Sequence, residues 1–384
     1  MTLNSVTVGG MPVSRAPLSR LAVDRAISEL RRARPVVIGP AAGKALLVIS
    51  AEGVSDNGLL LLTEISGSKP ALMITGKRAE ILNLSEAQGN AVSLSPSTSI
   101  NSQWIRKVTD PLNGQHLTLQ KGDFNSQIQP QFDGRSAAIL LNKHARLLPA
   151  AVVAEINIPD NDDIHLWALR HDILIVDAGD IFQYLNTTAH SLKLVSQARV
   201  PIEGAVDTFV KAFRPMDGGL EHLAIIIGQP DPSKPLLIRV HSECFTGDLL
   251  GSLRCDCGDQ LKGAIHEISK NGSGILLYLA QEGRGIGLVN KLRAYELQDQ
   301  GFDTIDANEQ LGFDADERIY LPAARMLELM GFNRVRLLTN NPLKVAALSA
   351  CGVDVVERVP HHFPANKHNE TYLKTKVARS GHLI

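Results

Sequence analysis

Apolar runs separated by polar breaks predict alternating helices and short strands in the first half of the chain. Between Leu21 and Leu30, apolar residues recur at helical spacing, and a basic turn then leads into a buried strand at 35–38. A helix is also expected from residue 140, and a capped one at 177–185. From 90 to 130 the pattern is weak, which indicates loops and short strands. The other buried strands are predicted at 45–49, 71–75, 150–156 and 173–176.

The second half repeats the alternation with longer strands. Residues 258–269 form an amphipathic helix, because Leu261, Ala264, Ile265 and Ile268 share one face. Residues 335–356 read as strand, helix, strand, for which a right-handed parallel crossover is expected. The predicted fold class is α/β, with two mixed α/β domains at 1–199 and 200–384 joined by a linker near 191–203. The remaining strands are predicted at 206–213, 223–227, 236–240 and 275–279.

Composition agrees with two domains and narrows the possible partners. A chain of 384 residues exceeds one typical core. Its formal net charge of −1 gives no electrostatic reason to expect nucleic acid. No apolar run approaches bilayer length, and residues 1–15 lack the pattern of a secretory signal. We therefore expect a cytoplasmic protein, in a reducing compartment that suits free thiols.

Three of the four cysteines lie close together, as C-x10-C-x-C at Cys244, Cys255 and Cys257. Three thiolates in so short a span predict a zinc site, and a catalytic zinc typically has three protein ligands and one open position. No fourth ligand is obvious, although His241 is the nearest candidate and Asp256 and Asp259 follow. The alternative is a set of small buried residues, since free cysteine is often buried.

A glycine-rich turn at 281–287 follows the predicted strand 275–279 and precedes a helix. Backbone N–H groups at such a turn can bind phosphate, and Arg284 would add a guanidinium. Lys344 stands in the first turn of a helix, where a bound anion would offset its unfavourable position. Each feature also has an ordinary interpretation: a connecting turn, an exposed lysine and, for the acidic turn at 312–318, a solvated loop with a helix cap.

The second half resembles GTP cyclohydrolase II from about Ala198 onwards. The ordered set of motifs supports this resemblance: His-Ser-Glu-Cys (241–244), Thr-Gly-Asp (246–248), Arg-Cys-Asp-Cys-Gly (254–258), Gln-Glu-Gly-Arg (281–284), Lys-Leu-Arg-Ala-Tyr (291–295), Leu-Gly-Phe (311–313) with Asp-Glu-Arg (316–318), and Leu-Leu-Thr-Asn-Asn-Pro (337–342) with Lys344 and Val345.

The resemblance implies a set of site residues. Cys244, Cys255 and Cys257 would hold Zn2+ with an open position for the water that attacks C8 of guanine, and Tyr295 would position that water or transfer a proton. Asp316 would accept a proton, and Arg318 would attack the α-phosphate or, more conservatively, clamp the phosphates. Mg2+ is expected on the triphosphate. The expected GTP contacts are Arg239, Val240, His241, Ser242, Glu243, Gln260, Glu282, Gly283, Arg284, Thr304, Thr339 and Lys344.

Residues 15 to 190 more faintly resemble 3,4-dihydroxy-2-butanone 4-phosphate synthase. That family uses an acidic loop after its first strand and a His-Thr-Glu segment later. Here the loop at 39–44 contains no carboxylate, and Arg135, Ser136 and Ala137 stand where the second segment is expected. Because Mg2+ binding and proton transfer need such groups, we expect an inactive domain that forms no butanone phosphate from ribulose 5-phosphate.

The resulting expectation is a homodimeric enzyme that converts GTP to 2,5-diamino-6-(ribosylamino)pyrimidin-4-one 5′-phosphate, formate and pyrophosphate, the first step of riboflavin biosynthesis. A relative that stops after ring opening is one alternative, although Tyr295 argues against it. A nucleotide-binding regulator with a structural zinc is another, and it would need a fourth ligand. Cys351 is interpreted as packing, and His361 and His362 as part of an exposed loop before a C-terminal helix.

Overall fold

The computed structural model describes residues 7–8, 11–12, 19–39, 44–84, 91–114, 119, 124–158 and 162–362. The chain divides into two compact units. The first unit is Met1–Leu185 together with Val289–Asp316, and the second unit is Asn186–Leu288 together with Glu317–Ile384. Both are mixed α/β, which confirms the predicted fold class. The division describes compactness, and the family boundary at 199/200 stays a prediction.

Strands and helices alternate along the whole chain. The strands are β1 (Thr7–Val8), β2 (Met11–Pro12), β3 (Val36–Gly39), β4 (Leu46–Ser50), β5 (Ala71–Ile74), β6 (Val92–Pro96), β7 (Phe124–Ile128), β8 (Ala150–Glu155), β9 (Leu174–Asp177), β10 (Lys193–Arg199), β11 (Thr208–Arg214), β12 (His222–Ile227), β13 (Leu236–Ser242), β14 (Gly274–Leu279), β15 (Arg334–Leu338) and β16 (Asp354–Val359). The α-helices are α1 (Ser19–Arg31), α2 (Asp56–Ser66), α3 (Gly76–Ile81), α4 (Ser102–Thr109), α5 (Gly134–His144), α6 (Ile164–Arg170), α7 (Ala178–His190), α8 (Cys257–Lys270), α9 (Leu288–Asp299), α10 (Thr304–Gln310), α11 (Leu321–Leu329) and α12 (Pro342–Ala350).

The first unit is built on a seven-stranded sheet in the order β7-β6-β5-β8-β4-β3-β9. Its central strands are buried on both faces. Successive side chains of a strand point to opposite faces, and Val36 and Ile38 accordingly pack in one hydrophobic cluster while Val37 packs in another. This double burial explains why the strands appear as continuous apolar runs in the sequence.

The second unit has a seven-stranded sheet in the order β10-β11-β12-β14-β13-β15-β16. Strands β14, β13, β15 and β16 run parallel to their neighbours in this order, and β10, β11, β12 and β14 pair antiparallel. The predicted parallel β15-α12-β16 unit is therefore confirmed. Because the carboxyl ends of parallel strands meet at one edge of a sheet, residues that follow β13, β14 and β15 are brought together there.

Several stretches differ from the sequence-based expectation. Residues 191–203, expected to be a linker, contain β10, whose seven residues are all exposed and gave no hydrophobic signal. The weak region 90–130 contains α4, which begins after the Asn101 cap. His361, expected in an exposed loop, is buried. Residues 40–43 of the loop without carboxylates, and the expected loop and helix after residue 365, lie outside the described residues.

Candidate metal and nucleotide site

The three clustered cysteines come together in the second unit. Their Sγ atoms all lie within 4.8 Å of one another. Cys244 and Cys255 are buried, and their Sγ atoms are 3.7 Å apart. Two thiolates at about 2.3 Å from one tetrahedral zinc would lie about 3.8 Å apart, so this spacing fits a shared metal ion. The alternative of unrelated buried cysteines does not explain why three thiols converge.

Local backbone structure sets this geometry. Cys244 follows β13 and caps a π-helical turn at Phe245–Leu249, whose Gly247 N–H donates to Cys244 Sγ at 3.3 Å. Cys257 is the first residue of α8. A Cβ added to Gly247 would lie 2.8 Å from Cys255 Sγ and 3.0 Å from Cys244 Sγ. A glycine is therefore needed to leave room around the sulfur atoms.

The close approach of the thiols affects their ionisation. Hydrogen bonding to the sulfur atoms of Cys244 and Cys255, together with burial, raises the pKa of Cys257 well above its ordinary value. A bound divalent cation reverses this effect, because a metal-coordinated thiol is deprotonated. The donor set and its spacing therefore fit Zn2+, and they meet the expectation that these three residues could hold a metal.

Asp248 organises the strand end next to the cysteines, a role that no sequence pattern indicated. Its carboxylate accepts hydrogen bonds from Cys244 N at 3.0 Å and from the Tyr278 hydroxyl at 2.9 Å. His241 Nε2 lies 3.1 Å from both carboxylate oxygens. Nε2 of His241 is therefore directed at Asp248. Among the described residues, the cluster that could hold a metal consists of the three cysteines.

A chain of buried polar groups runs from β13 to α8. Arg239 donates to Leu338 O at 2.9 Å and to the side-chain oxygen of Gln260. Gln260 in turn donates to Asp256 at 2.5 Å. Burial lowers the pKa of Arg239 to about 10, and nearby Asp256 opposes that shift. The guanidinium is thus held rigidly at the carboxyl edge of the sheet.

The glycine-rich turn after β14 is a tight turn over Glu282–Gly285, in which Gly283 and Arg284 both have left-handed backbone angles. Arg284 has a φ of 61°, a left-handed conformation that is uncommon outside glycine and often marks functional sites. Gly285 packs so closely that an added Cβ would lie 2.9 Å from Glu317 O. Glu317 N donates to Arg284 O at 3.0 Å. The turn therefore supports the backbone that leads to Arg318.

Gln281 and Glu282 fix neighbouring segments by hydrogen bonds of their own. The Gln281 amide both donates to Ile319 O and accepts from Ile319 N, each at 3.1 Å, which holds the residue after Arg318. Glu282 accepts from Phe245 N at 2.6 Å and so connects the turn to the cysteine region. The motif Gln-Glu-Gly-Arg includes both residues, but only the folded structure shows that the Gln281 side chain holds the backbone of Ile319.

The end of β15 contributes two further expected residues. Thr339 is buried and accepts from Asn341 N at 3.0 Å, while Asn341 caps α12. Lys344 is also buried, and its Nζ donates to Val240 O at 3.3 Å. The alternative interpretation of Lys344 as an ordinary exposed lysine is therefore wrong. A buried ammonium group in the first turn of α12 favours a nearby anionic ligand.

Two more residues at this edge bear on ligand binding. Within the described part of the second unit, Ser242 Oγ is buried and lacks a hydrogen-bond partner. His361 Nε2 lies 3.0 Å from Gln260 O, and burial lowers the pKa of His361 to about 4. His361 was missed because a lone histidine after the last predicted strand has no pattern to place it.

The expected site residues fall into both compact units. The first unit begins again at Val289, shortly after the glycine-rich turn, and this part contains Tyr295 on α9, Thr304 at the start of α10 and Asp316. Lys291 Nζ lies 5.7 Å from the centre of the Tyr295 ring. All other expected metal and substrate residues, and Arg318, belong to the second unit. The catalytic and binding roles stay predictions.

Buried thiols, arginine and lysine at the carboxyl edge of parallel strands are typical of metal-dependent α/β enzymes that bind phosphate esters. A family model described as GTP cyclohydrolase II matches residues 193–360. A GTP cyclohydrolase-2 from Azospirillum brasilense is 50% identical over 377 residues, which is 97% of this chain and 96% of that protein. The chain therefore belongs to the GTP cyclohydrolase II family, as its motifs predicted.

Two other relatives show how the family varies in length. A riboflavin biosynthesis protein RibBA from Bacillus cereus is 44% identical over 255 residues, covering 65% of this chain and 64% of that protein. A GTP cyclohydrolase-2 from Shewanella baltica (strain OS185) is 52% identical over 194 residues, which is 95% of that protein but 50% of this chain. The Shewanella baltica protein, at about half the length of this chain, is thus also called a GTP cyclohydrolase-2.

In the described residues, no helix combines the length and apolarity required to cross a bilayer.

Proposed function

We propose that this protein hydrolyses GTP to 2,5-diamino-6-(ribosylamino)pyrimidin-4-one 5′-phosphate, formate and pyrophosphate, the first step of riboflavin biosynthesis. The observation that carries the proposal is the convergence of Cys244, Cys255 and Cys257 in a member of the GTP cyclohydrolase II family. When bound by these thiols, Zn2+ would supply Lewis acidity and lower the pKa of water for attack at C8 of guanine.

Cationic groups of the second unit would bind the charged part of GTP. Lys344, Arg284 and Arg318 carry positive charges suited to a triphosphate, and the arginines can form paired hydrogen bonds to phosphate oxygens. Ser242 Oγ, which lacks a partner among the described residues, offers a donor to the ligand. We also propose Mg2+ on the triphosphate, because its negative charge must be neutralised during attack.

The remaining roles concern proton transfer and release of pyrophosphate. Asp316 would accept a proton, and Tyr295 would orient or protonate the reacting groups. Arg318 would clamp the α-phosphate, since a guanidinium is normally protonated and is a poor nucleophile. The bonds that Gln281 makes to Ile319 support this role, because they hold the backbone next to Arg318.

Two alternative functions make different predictions. A relative that stops after ring opening would release no formate. A regulator with a structural zinc would need a fourth protein ligand, and the nearest histidine, His241, has its Nε2 directed at Asp248. We further propose a homodimer, which light scattering would report as twice the 41.6 kDa chain mass.

Product analysis of purified, zinc-loaded protein with GTP and Mg2+ tests the proposal. We expect one formate and one pyrophosphate for each GTP consumed, with the pyrimidinone as nucleotide product. Cys255→Ser removes one of the three proposed metal ligands and should abolish both zinc binding and turnover. Cys351 packs against the core of the second unit. The control variant Cys351→Ser should therefore retain both zinc binding and turnover. Absence of ring opening by wild type would refute the proposal.

A further inference from the structure

A segment that the family resemblance assigns to the cyclohydrolase domain belongs to the first compact unit. This segment, Val289–Asp316, contains most of α9, all of α10 and the turn that follows, and we call it the α9–α10 segment. It bears Tyr295, Thr304 and Asp316, which are three of the proposed site residues. The rest of the first unit is the N-terminal domain, Met1–Leu185, whose synthase chemistry is expected to be absent.

The first set of contacts holds α9, close to Tyr295. Arg293 donates to both carboxylate oxygens of Glu52, at 3.0 and 3.3 Å. Glu52 is itself fixed, because it accepts from Leu148 N at 2.9 Å. One turn earlier, the fully buried Asn290 donates to Arg146 O at 3.0 Å. A paired arginine–carboxylate contact restricts orientation as well as distance, so the N-terminal domain determines the rotation of α9.

A second set holds the end of α10. The side chain of Arg78 is buried, with 4% of the residue exposed, and it donates to Val108 O and to Gln310 O, each at 2.9 Å. The last carbonyl groups of a helix lack partners within the helix and carry partial negative charge. Arg78 therefore satisfies one such carbonyl with a cation that the N-terminal domain holds in place.

A third contact fixes the turn that leads to Asp316. Thr75 Oγ1 donates to Gly312 O at 2.8 Å. Gly312 has a φ of 87°, and an added Cβ would lie 2.9 Å from Thr75 Oγ1 and 3.2 Å from Pro149. Phe313 is buried, and Asp314 pairs with Lys143 at 3.1 Å. Only a glycine at residue 312 allows the turn to approach the N-terminal domain this closely.

The residues that the synthase resemblance places at its chemical positions make structural contacts in this chain. Arg135 pairs with Glu155 at 2.5 Å, and Ser136 donates to Pro130 O at 2.7 Å. Lys44 pairs with the same Glu155 at 3.3 Å. Arg135 and Ser136 thus have structural partners within the first unit, which agrees with the expected absence of synthase chemistry.

We propose that the N-terminal domain is a platform that positions Tyr295 and Asp316 for GTP hydrolysis, with Glu52, Arg78 and Thr75 as positioning residues. The proposal rests on the proposed function of the chain. A small displacement of a catalytic group lowers turnover strongly while leaving substrate affinity much less affected. We assign the platform to long chains such as this one, because the Shewanella baltica relative is only about half as long.

Full-length Glu52→Gln, Arg78→Met and Arg78→Lys test the proposal. We expect Glu52→Gln and Arg78→Met to lower kcat at least tenfold, with KM for GTP within threefold and one zinc per chain retained. Arg78→Lys keeps the charge and should recover part of the lost kcat. Since Glu52 and Arg293 form one pair, Glu52→Gln combined with Arg293→Gln should be no slower than the worse single variant.

Glu155→Gln is the matched control, because it removes a carboxylate of the same unit that pairs with Arg135 and Lys44. It should retain wild-type kcat. Hydrogen exchange gives a readout independent of activity: amides of α9 and α10 should exchange faster in Glu52→Gln than in Glu155→Gln. Folded variants with kcat within twofold of an active wild type would refute the platform alone. An inactive wild type would refute the proposed function and, with it, the platform.

Discussion

The carboxylate of Asp248 joins hydrogen-bond donors from three parts of the second unit. It accepts hydrogen bonds from the backbone N–H of Cys244 and from the Tyr278 hydroxyl on β14. His241 Nε2, on β13, lies 3.1 Å from it. Burial lowers the pKa of His241, although the hydrogen bond and the charge of Asp248 oppose that shift. At the residue scale, this single side chain determines how Cys244 leaves its strand.

We predict that Asp248→Asn destabilises the second unit and weakens zinc binding. The amide keeps the shape of the carboxylate, but its NH2 group faces a donor and cannot accept from it. Loss of a buried acceptor of this kind costs about 1–3 kcal/mol. Thermal unfolding and metal analysis would measure the change. Asp231→Asn, on an exposed loop and bonded to Ser233, is the control and should change neither quantity.

At the scale of elements, the π-helical turn Phe245–Leu249 and the start of α8 leave space in which the three cysteines could hold a metal ion. A Cβ added to Gly247 would approach all three cysteines, and it would lie 2.9 Å from Cys257 Cβ. Such an approach is below normal contact distance, so a larger residue must displace the sulfur atoms. Ligand identity alone would therefore not produce this site.

Gly247→Ala should lower zinc affinity at least tenfold, because metal–ligand distances tolerate little displacement. Competition with a chromophoric chelator would measure the affinity. Gly251→Ala provides the comparison: it adds the same methyl group to the same loop, at a φ of 64°, where no atom lies within 4 Å. Equal affinities for the two variants would contradict the steric explanation.

His361, which follows β16, should make the free energy of unfolding depend on pH. Burial lowers the pKa of His361 to about 4, below the value of about 6.5 expected for the unfolded chain. Between these values the unfolded state binds more protons, so its free energy falls relative to the folded state as pH decreases. The stabilisation is complete above pH 6.5 and is lost progressively as the pH approaches 4.

His361→Gln should reduce this acid sensitivity. The difference between these two pKa values corresponds to about 3 kcal/mol of unfolding free energy between pH 6.5 and 4, and glutamine can still donate to Gln260 O. Denaturant unfolding at a series of pH values would measure the slope. His362→Gln, at the exposed neighbour, should keep the wild-type slope. An unchanged slope in His361→Gln would show that other groups dominate.

On the scale of the whole molecule, the two units contain different reporters. Both tryptophans, Trp104 and Trp167, belong to the first unit, and the cysteine cluster belongs to the second. Tryptophan fluorescence therefore follows the first unit, whereas circular dichroism follows helices and strands of both. This distribution allows the effect of the metal on each unit to be observed separately.

Removal of zinc by a chelator should lower the unfolding midpoint of the second unit and leave the tryptophan transition nearly unchanged. A ligand present at about 100 times its dissociation constant stabilises the folded state by about 2.7 kcal/mol. Addition of Zn2+ should restore the original midpoint, and Mg2+ should not. If the fluorescence transition moved by the same amount as the circular dichroism transition, the two units would unfold together.

Much of the fold could be predicted because buried strands and amphipathic helices have distinct periodicities. The strands at 36–39 and 274–279 appeared as apolar runs because both of their faces are covered. The exposed β10 and the short α10 escaped detection for the opposite reason: seven exposed residues, or seven mainly polar helical residues, leave no periodic signal. Their structure depends on neighbouring elements and caps.

The sequence by itself determined the chemistry and the family, because zinc ligation and phosphate binding require particular residue types in a particular order. Only the tertiary structure decided which groups support that chemistry. Arg78 and Gln310 are 232 residues apart, and no local sequence pattern predicts that the Arg78 side chain donates to the Gln310 carbonyl. The roles of Asp248, Gln281 and Gly312 likewise depend on long-range contacts, which exist only once the chain has folded.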